Sequence, residues 1–150
     1  MLNPIHTSAR RTQGLNTVID EGALKLLSLD LLVLDAGQSF SLSTGGCEAA
    51  AVILSGDARV RVEGEVFRLK RKSVFTERAS SVCLPIESVA GFTAVETTEI
   101  AICKSRCDKK GSPFFVSQDA LKEKTVGKDN WERKVVDIIG ADSSAARLVI

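Results

Sequence analysis

The residues of this 150-residue chain that could do chemistry are four cysteines, one histidine, and a scatter of carboxylates and arginines. Cys103-x-x-x-Cys107 has a spacing seen among zinc ligands, but a zinc site of that kind needs two such pairs, and Cys47 and Cys83 show no pair spacing. A nucleophilic cysteine wants a neighbouring imidazole, and His6, in the leading segment, is the sole histidine. Ordinary free thiols are the plainer reading. Glu96 and Glu99 are close in sequence, with Glu48 and Glu87 elsewhere, and glutamates this scattered read as solvated surface charges. Arg59, Arg61, Arg68 and Arg78 could hold the carboxylate of a sugar acid, because a guanidinium fork matches its two oxygens. Arginines on a strand face more often pair with acids of the neighbouring strand. Gly45-Gly46 is not a GxxxxGK phosphate loop. No catalytic, cofactor-binding or metal-ligating residue is assigned, and no cofactor is expected.

Such residues need elements to position them. The length is that of one ordinary domain with a real core, and 44% hydrophobic with 26% charged residues is globular composition. Twenty basic residues nearly cancel 19 acidic ones, and a net charge of +1 gives no electrostatic case for nucleic acid or an anionic membrane. The basic cluster Arg68-Leu69-Lys70-Arg71-Lys72 has no aromatic platform beside it and reads as a solvated loop. The first residues hold no apolar stretch of signal-peptide type, and no run approaches the ~20 residues of a membrane span. The cytoplasm is the expected compartment, and there cysteines stay reduced.

Residues 1–20 are polar, with Pro4, Gly14 and Asn16, and predict a leading arm containing one short extended piece. In 25–34, Leu27, Leu29, Leu31 and Val33 alternate with Ser28 and Asp30, which predicts a strand. Strands are expected at 39–43 and 49–54, forming a hairpin about a Gly45-Gly46 turn that holds Cys47. In 57–62, Ala58, Val60 and Val62 face one side, with Asp57, Arg59 and Arg61 on a solvated one. Glu63-Gly64 turns the chain into a strand at 65–69, and further strand-like pieces follow at 74–75, 82–84, 92–96 and 100–103. Beyond Cys103 come a charged loop, an apolar piece at 113–116, a helical turn at 119–124, a loop at 125–131, and late strands at 134–139 and 145–150. Short strands at roughly 8–12-residue spacing argue for an all-β antiparallel sandwich or barrel.

The stretch from Gly37 to Gly56 resembles the first motif of the cupin superfamily, whose glycines frame a metal-binding hairpin. Its two histidine positions fall on Ser43 and Gly45, and its glutamate position on Ala49. A second motif survives around Pro85, with its histidine position on Ala90. The resemblance implies a jelly-roll barrel, and none of these four residues can hold a metal usefully through its side chain.

A narrower resemblance follows from Leu32-Val33-Leu34-x-Ala36-Gly37-x-Ser39, Leu54-Ser55-Gly56, Ser73-Val74-Phe75, Pro85 and Gly127-Lys128-x-Asn130-x-x-Arg133-x-Val135. In order and spacing these are similar to the amino-terminal half of the 5-deoxy-glucuronate isomerase family of myo-inositol catabolism. One departure is Val136-Asp137, where a more polar segment is expected. The resemblance implies a two-cupin isomerase whose metal ligands belong to the second cupin, so that this half is inactive alone. It implies a leading arm at 1–22, a degenerate, metal-free cupin at 23–140, and a linker and strand at 141–150 leading into a second cupin. The apolar end at Ile150 then looks like a longer protein cut short, with an exposed apolar edge near 148–150. The implied partners are a second cupin domain or a second copy of the chain, and a small sugar acid. The competing readings are a stand-alone, metal-free cupin that binds a sugar acid or dimerises, and a zinc site on the four cysteines.

Overall fold

The computed structural model describes residues 11–150; Pro4, His6 and Arg10 lie outside the described residues. Eleven strands are present among them: β1 (Gly14–Ile19), β2 (Ser28–Leu34), β3 (Ser39–Ser43), β4 (Cys47–Val62), β5 (Glu65–Arg71), β6 (Ser81–Leu84), β7 (Val89–Ala94), β8 (Thr98–Arg106), β9 (Phe114–Val116), β10 (Glu123–Val126) and β11 (Arg133–Val136). The strand ladders are antiparallel throughout. One sheet runs β1-β2-β8-β4-β6-β9, and the other joins β3, β7, the second half of β4, and β5. The antiparallel sandwich or barrel expected from the strand spacing, and the jelly roll implied by the cupin resemblance, is the architecture found. The extended piece in the leading arm is β1, and no described helix is long and apolar enough to cross a membrane.

Strand β4 holds the two sheets together. The sequence suggested two strands, at 49–54 and 57–62, on either side of a glycine turn; the chain instead forms one strand of 16 residues. Its first half pairs with β8 and β6 and its second with β7 and β5. Between Ile53 and Ser55 the register slips by one residue, a β-bulge that bends the strand from one sheet into the other. The slip also changes which residues face the core. Ala49, Ala51 and Ile53 point inward before it, and Ala58, Val60 and Val62 after it. These pack with Leu32, Leu84, Phe92, Ile100 and Ile102 in a single interior cluster. The expected hairpin is absent, since β3 pairs with β7 rather than with β4. Cys47 accordingly opens β4, buried, rather than sitting in a hairpin turn.

The outer face of the first sheet is also covered. Ala50, Val52 and Cys83 pack against Ile139 and Leu148 in a second apolar cluster, which explains why residues 49–54 read as a continuous apolar run. Residues 145–150 form no regular strand. Glu48, read from sequence as a solvated charge, is buried and ties this segment down. Its carboxylate accepts the backbone N–H groups of Ala146 (2.7 Å), Arg147 (2.9 Å) and Leu148 (2.9 Å). Ile150 exchanges backbone hydrogen bonds with Ile139. Of residues 148–150 only Val149 is exposed, while Leu148 is buried, so the expected apolar edge is largely tucked away.

Hydrogen bonds to a buried charge are worth more than neutral ones. Glu48→Ala is therefore expected to cost about 3 kcal/mol in urea denaturation and to raise amide exchange at residues 146–148. Unchanged exchange there would show that the carboxylate does not hold the segment.

The carboxy-terminal third differs from expectation in detail. The helical turn is a short 3-10 segment at Gln118–Ala120, capped by the Ser117 hydroxyl. The expected loop at 125–131 contains the end of β10 and a second 3-10 turn, Asp129–Trp131. β10 and β11 form their own two-stranded ribbon. Residues 74–75 belong to no strand, and Phe75 is almost fully exposed.

Candidate functional site

The two motif regions meet at one end of the barrel. The turn after β3 is closed by the Cys47 N–H donating to Thr44 O (3.1 Å). Buried Thr44 locks this turn to the one after Pro85. Its hydroxyl donates to Pro85 O (2.8 Å) and accepts the Ser88 N–H (2.9 Å), and the Glu87 N–H donates to Gly45 O (2.7 Å). The four cupin ligand positions then fall into two classes. Ser43 and Gly45 lie exposed at the rim, while Ala49 and Ala90 are fully buried in the interior cluster. A methyl group offers no lone pair. Among the described residues no three His, Cys, Asp or Glu side chains converge as a metal centre requires.

A cation of the protein's own stands beside those positions. Ala49 on β4 is the register partner of Lys104 on β8, which in turn pairs with Ser28 on β2. Alternation from Ile100 and Ile102 puts Lys104 on the interior face, and alternation back from Leu32 and Leu34 does the same for Asp30. Lys104 Nζ lies 2.7 Å from Asp30 Oδ2, with side-chain exposures of 21% and 4%. The sequence reading took Asp30 for the polar face of β2 and did not single out Lys104. The signal was available in the phase of the alternation at Ile100, Ile102 and Lys104.

Towards solvent this end opens into a cavity of about 320 Å³, lined by Glu21, the turn from Ser43 to Cys47, Lys104 and Arg106. Arg106 pairs with Glu21 at 2.9 Å, and the Cys47 thiol donates to the same carboxylate at 3.7 Å. Burial, and then the Glu21 charge, push the Cys47 thiol up, so it stays protonated and is no nucleophile. Both cations at the mouth carry a carboxylate partner. The arrangement can hydrogen-bond a polyol, and it presents no free base.

The remaining candidates disperse. Burial and then the Glu48 charge push Cys83 up to about 12, burial raises Cys103, and Cys107 donates to Lys109 O. All four cysteines are free thiols. Glu87 and Glu96 are exposed, and Glu99 faces Arg11 at 3.5 Å. Arg78 donates to Leu121 O. Asp57, expected on a solvated face, is buried with two hydrogen bonds from Arg68, and these hold its carboxyl below the ordinary carboxylate range. Arg59 and Arg61 remain together on the outer face of the second sheet, lining a separate concavity.

Comparison with known proteins agrees with this geometry. Residues 2–150 match the model of the KduI/IolB family. An IolB-like protein from Salmonella typhimurium superposes with a TM-score of 0.81 at 24% identity, over 93% of this chain and 55% of its own. This chain thus spans about half the length of that protein. KdgF from Halomonas sp. (TM-score 0.51, 17% identity, 68% of this chain and 89% of its own) shares the fold. So does an RmlC-like cupin from Shewanella frigidimarina (0.50, 15%, 69% and 86%). The architecture is that of a cupin. No curated protein matches the chain.

Proposed function

This chain belongs to the KduI/IolB family, and on that premise we propose that it is the amino-terminal, metal-free cupin half of an aldose–ketose isomerase acting on 5-deoxy-glucuronate in inositol catabolism, in the cytoplasm. One observation carries the reading. Where a cupin would place its ligands, this barrel has Ser43, Gly45, Ala49 and Ala90, with the Lys104–Asp30 pair beside them. Moving a proton between adjacent carbons needs a base and an electrophile to hold the developing oxyanion. The mouth supplies neither in uncommitted form, because both cations already hold carboxylates. In this reading a second, metal-binding cupin carries the chemistry, and this half stabilises it and walls its pocket.

The ion pair inside the barrel and the enclosed core favour one second reading, a stand-alone cupin that binds a sugar acid or dimerises. The assay that separates them is isomerase turnover with metal content measured on the same preparation. The chain alone is expected to give neither turnover nor stoichiometric metal, and activity is expected when the second cupin is supplied. Turnover with bound metal by the chain alone would overturn the proposal. Silence even with the second cupin would favour the binding module.

A further inference from the structure

The outer face of the second sheet carries charge that nothing in the fold uses. Arg59 and Arg61 lie two residues apart on β4, so their side chains leave the same face about 7 Å apart. Neither makes a side-chain hydrogen bond or ion pair with a described residue. Arg68, Arg71 and Arg106, also on barrel strands, each hold a carboxylate or a backbone carbonyl. The nearby acid on this face, Asp57, is already committed to Arg68, with Lys70 at 3.8 Å. Arg59 is moreover the register partner of Arg68 across the β4–β5 ladder. Like charges directly opposite each other oppose strand pairing, and with Arg68 held by Asp57 no described carboxylate on this face is left to offset Arg59.

The surface around the two arginines has the form of a site. They line a concavity of about 570 Å³ together with Ser39, Ser41, Thr93 and Val66. The Ser39 and Thr93 hydroxyls lie 3.0 Å apart at the surface, where they can exchange hydrogen bonds with a polyol. The floor is Gly91, register partner of both Ser41 and Arg61, and a Cβ built there meets no atom within 4 Å. Space is therefore left where any other residue would project a side chain.

We propose that this concavity binds a sugar acid, with Arg59 and Arg61 bracketing the carboxylate and the hydroxyls of Ser39 and Thr93 meeting the sugar. The site lies outside the barrel, on the opposite side of β4 from Val60 and Val62, and so is separate from the motif positions. The inference does not rest on the isomerase reading, because it concerns binding by this chain alone and requires no turnover.

The test is a titration of the isotopically labelled chain with D-glucuronate, followed by amide chemical shifts, beside D-glucose and inorganic phosphate. Glucuronate is expected to bind in the millimolar range and to move amides of β3, β4 and β7 that flank the concavity, while glucose moves none. The double variant R59Q/R61Q is expected to weaken binding at least tenfold while keeping the wild-type melting midpoint or exceeding it. Gly91→Leu keeps every charge but fills the floor, and is expected to abolish binding while remaining folded. Three results would overturn the proposal: no shifts at tens of millimolar glucuronate, equal binding by R59Q/R61Q, or phosphate bound tenfold more tightly than glucuronate.

Discussion

Gly56→Ala is expected to destabilise the protein by about 3–5 kcal/mol, whereas Gly37→Ala, at the other framing glycine, should cost only about 1 kcal/mol. Both glycines adopt positive φ, +82° at Gly37 and +97° at Gly56, so each alanine meets the backbone penalty of that region. The difference is space. A Cβ at Gly37 meets nothing within 4 Å, while one at Gly56 would collide with Thr97 O and lie 2.7 Å from Thr98 Cα. Those are backbone atoms and cannot rotate away. They lie where β4 leaves the first sheet for the second, beside the bulge, with the Asp57 N–H bonded to the Thr98 hydroxyl at 3.1 Å. The loss should be large against the 5–15 kcal/mol typical of a domain. Urea midpoints of the two variants measure it directly. Equal losses would mean that only the backbone conformation matters at the sheet crossing.

Lys104→Ala is expected to cost about 3 kcal/mol, the lower end of the range for breaking a buried ion pair, since its side chain keeps 21% exposure. The loss comes chiefly from Asp30, whose carboxyl is left in the barrel interior without its ammonium partner. Replacing both residues, as in D30N/K104M, removes the unpartnered carboxyl and should return the urea midpoint close to wild type. A double variant no better than Lys104→Ala would show that the pair contributes attraction beyond its desolvation cost. The same variants bear on the mouth, because Lys104 lines the cavity beside Ser43 and Cys47.

Local pattern was a good guide wherever a segment's two faces have different surroundings. Ala58, Val60 and Val62 alternate with Arg59 and Arg61, and the strand was read with its core face correct. The pattern misled where both faces are covered. On β2 the odd-numbered leucines looked like the core face, yet Leu32 and Leu34 fill the interior, and Asp30 shares their side. Leu31 and Val33 on the other face are buried too. Glu48 was read as solvated because nothing near it in sequence covers it; the groups that do are N–H donors 98 to 100 residues later. Asp57 was misread for a similar reason, with its partner Arg68 lying across a strand pairing.

By itself the sequence determined that this chain is a β protein, where its glycines punctuate the strands, and that the positions of its cupin-like frame read Ser43, Gly45, Ala49 and Ala90. Those are properties of short stretches, set by steric limits on the backbone and by the two-residue period of a strand. Only the tertiary structure decided that 47–62 is one strand shared by two sheets, that Glu48 holds the far end of the chain, and that Lys104 and Asp30 stand beside the ligand positions. The reason is that burial of a charge depends on which distant segment arrives to cover and pair with it. A period of two records that a strand has two faces, and the packing decides what each of them meets.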